Sequence, residues 1–161
     1  MFVQLYLSSQ AVTHFMKKYH SLLLAASCSL LFACSKKEDA APVAATTALV
    51  AVINGAQQVG PTNSTATGEF SGTYNSATNQ LTYTVTYRGL VPTNAHIHTS
   101  PSGPGSSGAI SISFASYNTS PIQGTTTLTP TQVTDLLGNK MYVNIHTAAF
   151  SGGEIRGDIR Q

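Results

Sequence analysis

The sequence predicts an all-β fold, an antiparallel Greek-key β-sandwich carrying one short helix. Three observations carry this expectation. Charged residues make up only 9% of the chain, with Thr, Ser, Gly and Asn filling most polar positions, a balance that favours pleated, half-buried surfaces over exposed helices. Short runs of period-two alternation recur between clusters of Gly, Pro, Asn and Ser. A single segment has helical spacing with a start and a stop signal. Seven or so short strands with frequent turns suit two packed antiparallel layers.

Residues 48–161 hold the strands. Leu49 to Asn54 is a first apolar run, followed by the turn-rich GAQQVGPTNSTAT. Gly68 to Tyr74 alternates, and Asn75 to Asn79 supplies turn chemistry. Leu81 to Arg88 is the cleanest strand, with Leu81, Tyr83, Val85 and Tyr87 facing one way and Thr82, Thr84, Thr86 and Arg88 the other. Ala95 to Thr99 sets Ala95 and Ile97 opposite His96 and His98, and Ser100 to Gly108 is a Pro/Gly-rich loop. Ala109 to Phe114 and Ile122 to Thr129 continue the series. Thr129 to Gly138 is the helix: a capping Thr, Pro130 at the first helical position, and Val133, Leu136 and Leu137 on one face. Met141 to Arg160 then reads as two strands joined by a Gly-rich connection. Met141, Val143 and Ile145 share one face, as do Ile155, Gly157 and Ile159, while the opposite face gathers His146, Glu154, Arg156 and Asp158.

The N-terminal third is an address. Lys17 and Lys18 precede an apolar run from Ser21 to Phe32, too short to span a bilayer but right for an export signal. It ends in Leu31-Phe32-Ala33-Cys34, which resembles a bacterial lipobox with Cys34 as the lipidated residue. The expected organisation is a start-site artefact over residues 1–15, a lipoprotein signal over 16–33, a flexible tether over 34–47 and one domain over 48–161. The expected location is the bacterial cell envelope, lipid-anchored, at the outer membrane, facing the periplasm or the surface. Lys36-Lys37-Glu38-Asp39 resembles surface-export signals and reads equally as a solvated spacer. From Cys34 onward six cations balance six acids, which excludes a basic patch for nucleic acid. Cys28 and Cys34 are the only cysteines, so the domain has neither disulfide nor thiol chemistry.

The blocks GAQQVGPTNSTATGEF, LTYTVTYRGL, AHIHTSPSGPGSSGAI, LTPTQVTDLL and MYVNIHTAAFSGGEIRGDI resemble, in order, those of the CHRD (chordin) domain family. That resemblance implies an immunoglobulin-like or superoxide-dismutase-like sandwich outside the cytoplasm, and little chemistry.

Two readings of the polar residues stand side by side. His96 and His98 project from one face of a strand, His146 lies on the matching face of another, and these are the only histidines of residues 48–161. In the first reading they form a structural His/Glu/Arg network, the histidines bonding one another, Thr99, Thr147 and Glu154 while Arg156 contacts carbonyls of the Gly-rich loop, in a non-enzymatic binding or adhesion module. In the second, the HxH pair and His146 bind Cu or Zn, for which imidazole is a common ligand, with redox activity open to a copper ion. Glu154 or Asp158 would then ligate the ion or orient a histidine, with Arg156 beside them. Copper/zinc superoxide dismutase offers a partial analogy in which Arg156 would guide an anion. The absence of a fourth copper His, of zinc-site histidines and of a disulfide argues against that activity. A nucleophile elbow and a P-loop lysine are also lacking, which sets aside hydrolase and phosphate-binding readings.

Overall fold

A computed structural model describes residues 45–161. The proposed signal, Cys34 and most of the tether lie outside the described residues. Eight strands follow in chain order: β1 (Thr46–Asn54), β2 (Thr67–Asn75), β3 (Gln80–Arg88), β4 (Asn94–Thr99), β5 (Ile110–Ser113), β6 (Ile122–Thr127), β7 (Met141–His146) and β8 (Ile155–Asp158). A 3-10 turn at Gly55–Gln57 follows β1, and helix α1 (Pro130–Leu137) lies between β6 and β7. The expected all-β class with one short α-helix is what the described residues adopt.

All eight strands belong to one antiparallel sheet in the order β5-β4-β7-β8-β1-β2-β3-β6. The sheet has two halves. β1, β2 and β3 pair along nine residues each, and β6 adds six pairs to β3. β5, β4, β7 and β8 form the other half. The seam between them is narrow: Asn54 pairs with Arg156, and Val50 and Arg160 exchange backbone hydrogen bonds of 2.8 and 2.9 Å. The two halves curl toward one another around a shared core. Tyr83 of β3 and Phe114 just after β5 come from opposite ends of the strand order, yet their rings are 5.2 Å apart. Tyr87 Oη also donates to Tyr117 O at 2.8 Å.

The halves differ in how many faces they bury. β1 alternates as its sequence requires: Leu49, Ala51 and Ile53 are buried, while Val50 and Val52 face outward at 56% and 66% exposure. β3 buries Leu81, Tyr83 and Val85 in the same manner. Each such aliphatic or aromatic side chain contributes about 1.5–3 kcal/mol by leaving water. β4, β7 and β8, in contrast, are buried along nearly their whole length, with Ala95, Ile97, Val143, Ile145 and Ile155 on the core side and polar residues beneath loops on the other. A buried second face lined with polar side chains is costly unless those groups have partners, so it marks the place to look for function.

Helix α1 is held at its start by a reciprocal capping box between Thr129 and Gln132. The Gln132 amide also donates to Ser111 O at 3.0 Å. Ser111 is the residue skipped where the β4–β5 pairing shifts register between Ile97 and His98. The helix therefore covers a bulge on the strand beside the histidines, a common device for re-aiming a side chain.

Candidate metal centre

The site is built on the outer face of β4, β7 and β8. Antiparallel pairing sets His96 opposite Asn144 and His98 opposite Tyr142, with His146 one step further along β7 opposite Asn94. The HxH spacing keeps both imidazoles of β4 on one face, and the even spacing of Tyr142, Asn144 and His146 does the same for β7. The rings of His96, His98 and His146 consequently meet, with centroids 5.4 to 6.0 Å apart. One nitrogen of each ring lies within 4.8 Å of one nitrogen of each of the others. His96 and His98 are each only 8% exposed.

What these rings do with their nitrogens is more informative than their proximity. His98 Nδ1 is 3.0 Å from Gly108 O, and His146 Nδ1 is 2.9 Å from Ser151 O. A carbonyl oxygen can only accept, so in the neutral rings Nδ1 carries the proton and Nε2 keeps a lone pair. Both of those Nε2 atoms are buried without a hydrogen-bond partner, and so is Nδ1 of His96. Three buried, unpartnered imidazole nitrogens in one cluster are an exception to the rule that buried polar atoms are bonded. Burial of the rings, and then the other histidines of the cluster, lower the pKa of His96. Burial also lowers that of His98, opposed by its bond to Gly108 and reinforced by His146 and Arg156. Both rings are thereby kept neutral, as a metal ligand must be.

Bonds of about 2.0–2.1 Å hold the nitrogens of a tetrahedral zinc site about 3.4 Å apart. The nitrogens of this cluster lie within 4.8 Å of one another, so the rings would have to close in on a shared ion. Imidazole is a suitable donor for Zn, Cu, Fe and Ni.

The other expected site residues are close by but, among the described residues, none of them hydrogen-bonds a histidine of the cluster. Glu154 accepts from Ser64 Oγ and from Thr147 Oγ1, both at 2.6 Å. Arg156 is 1% exposed. Its Nη2 donates to Asp158 Oδ1 at 2.8 Å, and its Nη1 donates to Ser106 O in the Gly-rich loop at 2.9 Å. Buried and engaged in this way, the guanidinium presents no open face to an incoming anion. Among the described residues, no histidine of the cluster hydrogen-bonds another or Glu154; the polar network runs from β8 into the surrounding loops instead.

Two members of this face were not singled out from the sequence. The Tyr142 ring stacks on His98, with centroids 5.0 Å apart, and carries the Arg156 guanidinium 3.5 Å from its centroid. Its hydroxyl accepts from Gly108 N at 3.2 Å. Asn144 accepts from Gln58 at 2.6 Å and donates to Gly152 O at 3.2 Å. The strand parity that marks His146 also marks both residues, but an aromatic and an amide on a strand read as ordinary packing until their partners are known.

Fold and site together define a small all-β domain with a buried three-imidazole cluster under the loops of one half-sheet. Residues 49–159 match the CHRD domain family model, and the chain belongs to that family. No curated protein and no solved structure matches it.

Proposed function

We propose that this chain is a lipid-anchored envelope protein whose CHRD domain binds one transition-metal ion, Cu or Zn, through His96, His98 and His146. The observation that carries the reading is the set of three buried nitrogens without partners, in a cluster where two of the rings are oriented by carbonyls on their far side. A network whose purpose was only to hold strands together would spend those lone pairs on donors. Orientation of a ligating His through its other nitrogen is the usual arrangement around protein-bound metals. In this reading the protein is a binding module rather than an enzyme, and the ion is its ligand. Attachment through Cys34 and residence in the outer membrane belong to the same proposal, supported by the apolar run and lipobox-like Leu31–Cys34.

Elemental analysis of protein purified without a His tag, followed by titration with Zn(II) and Cu(II), tests the ion. One equivalent per chain, lost in a His98→Ala, His146→Ala double variant, is the expected result. Absence of binding, or binding that the double variant retains, overturns the reading. A Cys34→Ser variant should leave the detergent phase in a partitioning assay; unchanged partitioning would remove the anchor from the proposal.

A further inference from the structure

The two carbonyls that orient the histidines come from separate loops, and each loop is held by a different side chain at the start of β8. Gly108 O closes the Ser100–Gly108 loop; Ser151 O belongs to the turn between β7 and β8. We propose that Glu154, immediately before β8, and Arg156, on it, are positioning residues, each setting the tautomer and aim of one histidine through its own loop. This inference rests on the metal-binding reading above.

Arg156 reaches the His98 loop through a chain of contacts. Its guanidinium is fixed by Asp158 and by the face of Tyr142, leaving Nη1 to hold Ser106 O at 2.9 Å. Two residues further on, Gly108 N donates to Tyr142 Oη, and Gly108 O accepts from His98. The loop also closes on itself, through Ser100 Oγ against Ser106 Oγ and Gly103 O. Position 108 itself has no room for a side chain, because a Cβ there would overlap Thr99 O. The peptide that orients His98 is therefore pinned from both sides, by Arg156 through Ser106 and by Tyr142 directly.

The Glu154 side is built from different atoms to the same end. One carboxylate oxygen accepts from Thr147 at the start of the β7–β8 turn, and the other accepts from Ser64 on the loop after β1. Its backbone oxygen accepts from Thr62 Oγ1 at 2.8 Å. Within the turn, Thr147 and Phe150 exchange backbone bonds, and Gly153 N donates to Phe150 O. Gly153 adopts φ +120°, and a Cβ there would meet the Asn144 side chain. With both ends held, Ser151 O is presented to His146 Nδ1 at 2.9 Å.

The arrangement makes an uncommon prediction: two residues with a single residue between them, one just before β8 and one on it, control different histidines. Long-range proton–nitrogen correlation spectra of the metal-free protein read each imidazole tautomer directly. In the wild type, His98 and His146 should both be Nδ1–H. Glu154→Gln keeps size but cannot accept from both hydroxyls, and it should mix the tautomers of His146 while leaving His98 unchanged. Arg156→Lys keeps the charge but loses the fork, and it should do the reverse. Each should also weaken Zn(II) binding about 10–100-fold, the usual effect of removing a residue that orients a ligand. Where a β8 variant does not fold, Thr147→Val and Tyr142→Phe remove contacts of the same two loops and should reproduce the split. Nε2–H tautomers in the wild type, or variants that leave both tautomers unchanged, overturn the inference. Tautomers that shift as described in a protein that binds no metal would overturn the metal reading and leave the positioning roles standing.

Discussion

His98 Nδ1 and Gly108 O lie 3.0 Å apart, and this one hydrogen bond leaves the opposite nitrogen of His98 buried and bare. The cost of burying an unpartnered polar atom is about 1–3 kcal/mol. Three such atoms in one cluster are a concentrated liability in a metal-free domain, and an ion would relieve all three. Metal should therefore stabilise the domain. At free ion one hundred times the dissociation constant, linkage adds about 2.7 kcal/mol, seen as a rise in melting temperature that a chelator reverses and that His96→Ala abolishes.

Gly108→Ala tests the cradle from the backbone side. The added methyl would overlap Thr99 O, so the strand end or the loop must shift. A loss of about 1–3 kcal/mol in urea unfolding is expected, the range for overpacking a close-fitted site. Zn(II) affinity should fall with it, because the carbonyl that aims His98 moves too.

Arg156→Ala should be among the most destabilising single changes in the domain. It strips Asp158 of its 2.8 Å partner, leaves Ser106 O without its donor and uncovers the Tyr142 ring. Breaking a buried pair from one side costs about 3–5 kcal/mol, which denaturant unfolding would register as a lower midpoint at unchanged slope.

Acid should weaken the metal-free fold through the same histidines. Burial lowers the pKa values of His96 and His98 below 6.5 in the folded state. The unfolded chain thus binds protons first, so stability is full above about pH 6.5 and declines as pH falls below it toward the folded-state values. Unfolding midpoints measured across that range should drop, and a His96→Gln, His98→Gln variant should flatten the dependence.

The helix offers a control that contributes no atom to the histidine cluster. Thr129→Ala removes half of the capping box and should cost about 0.5–2 kcal/mol while leaving Zn(II) stoichiometry unchanged.

Much of this molecule is legible in its residues because the underlying physics is local. Leu81, Tyr83 and Val85 alternate with threonines, and a strand with one face in the core follows directly. Thr129, Pro130 and Gly138 announce the ends of α1 by satisfying or omitting particular backbone groups. The same parity turns His96, His98 and His146 away from the apolar side. The continuity of the sheet was less accessible: two layers of strands were expected, and a seam of one residue pair and one bridge joins them into a single curled sheet. No periodicity encodes which strand lies beside which.

Local residue patterns suffice for the all-β class, the short helix, the face on which the histidines stand and the family to which the blocks belong. Long-range pairing makes β4 and β7 neighbours, so that imidazoles almost fifty residues apart in the chain (His98 and His146) share one cluster. The tertiary structure also decides what Glu154 does: its carboxylate bonds Thr147 and Ser64 rather than a histidine, while Arg156 reaches a carbonyl of the Gly-rich loop as the network reading expects. The reason is geometric. Alternation is a property of one strand, whereas the partners of a buried polar atom depend on which loops fold over it.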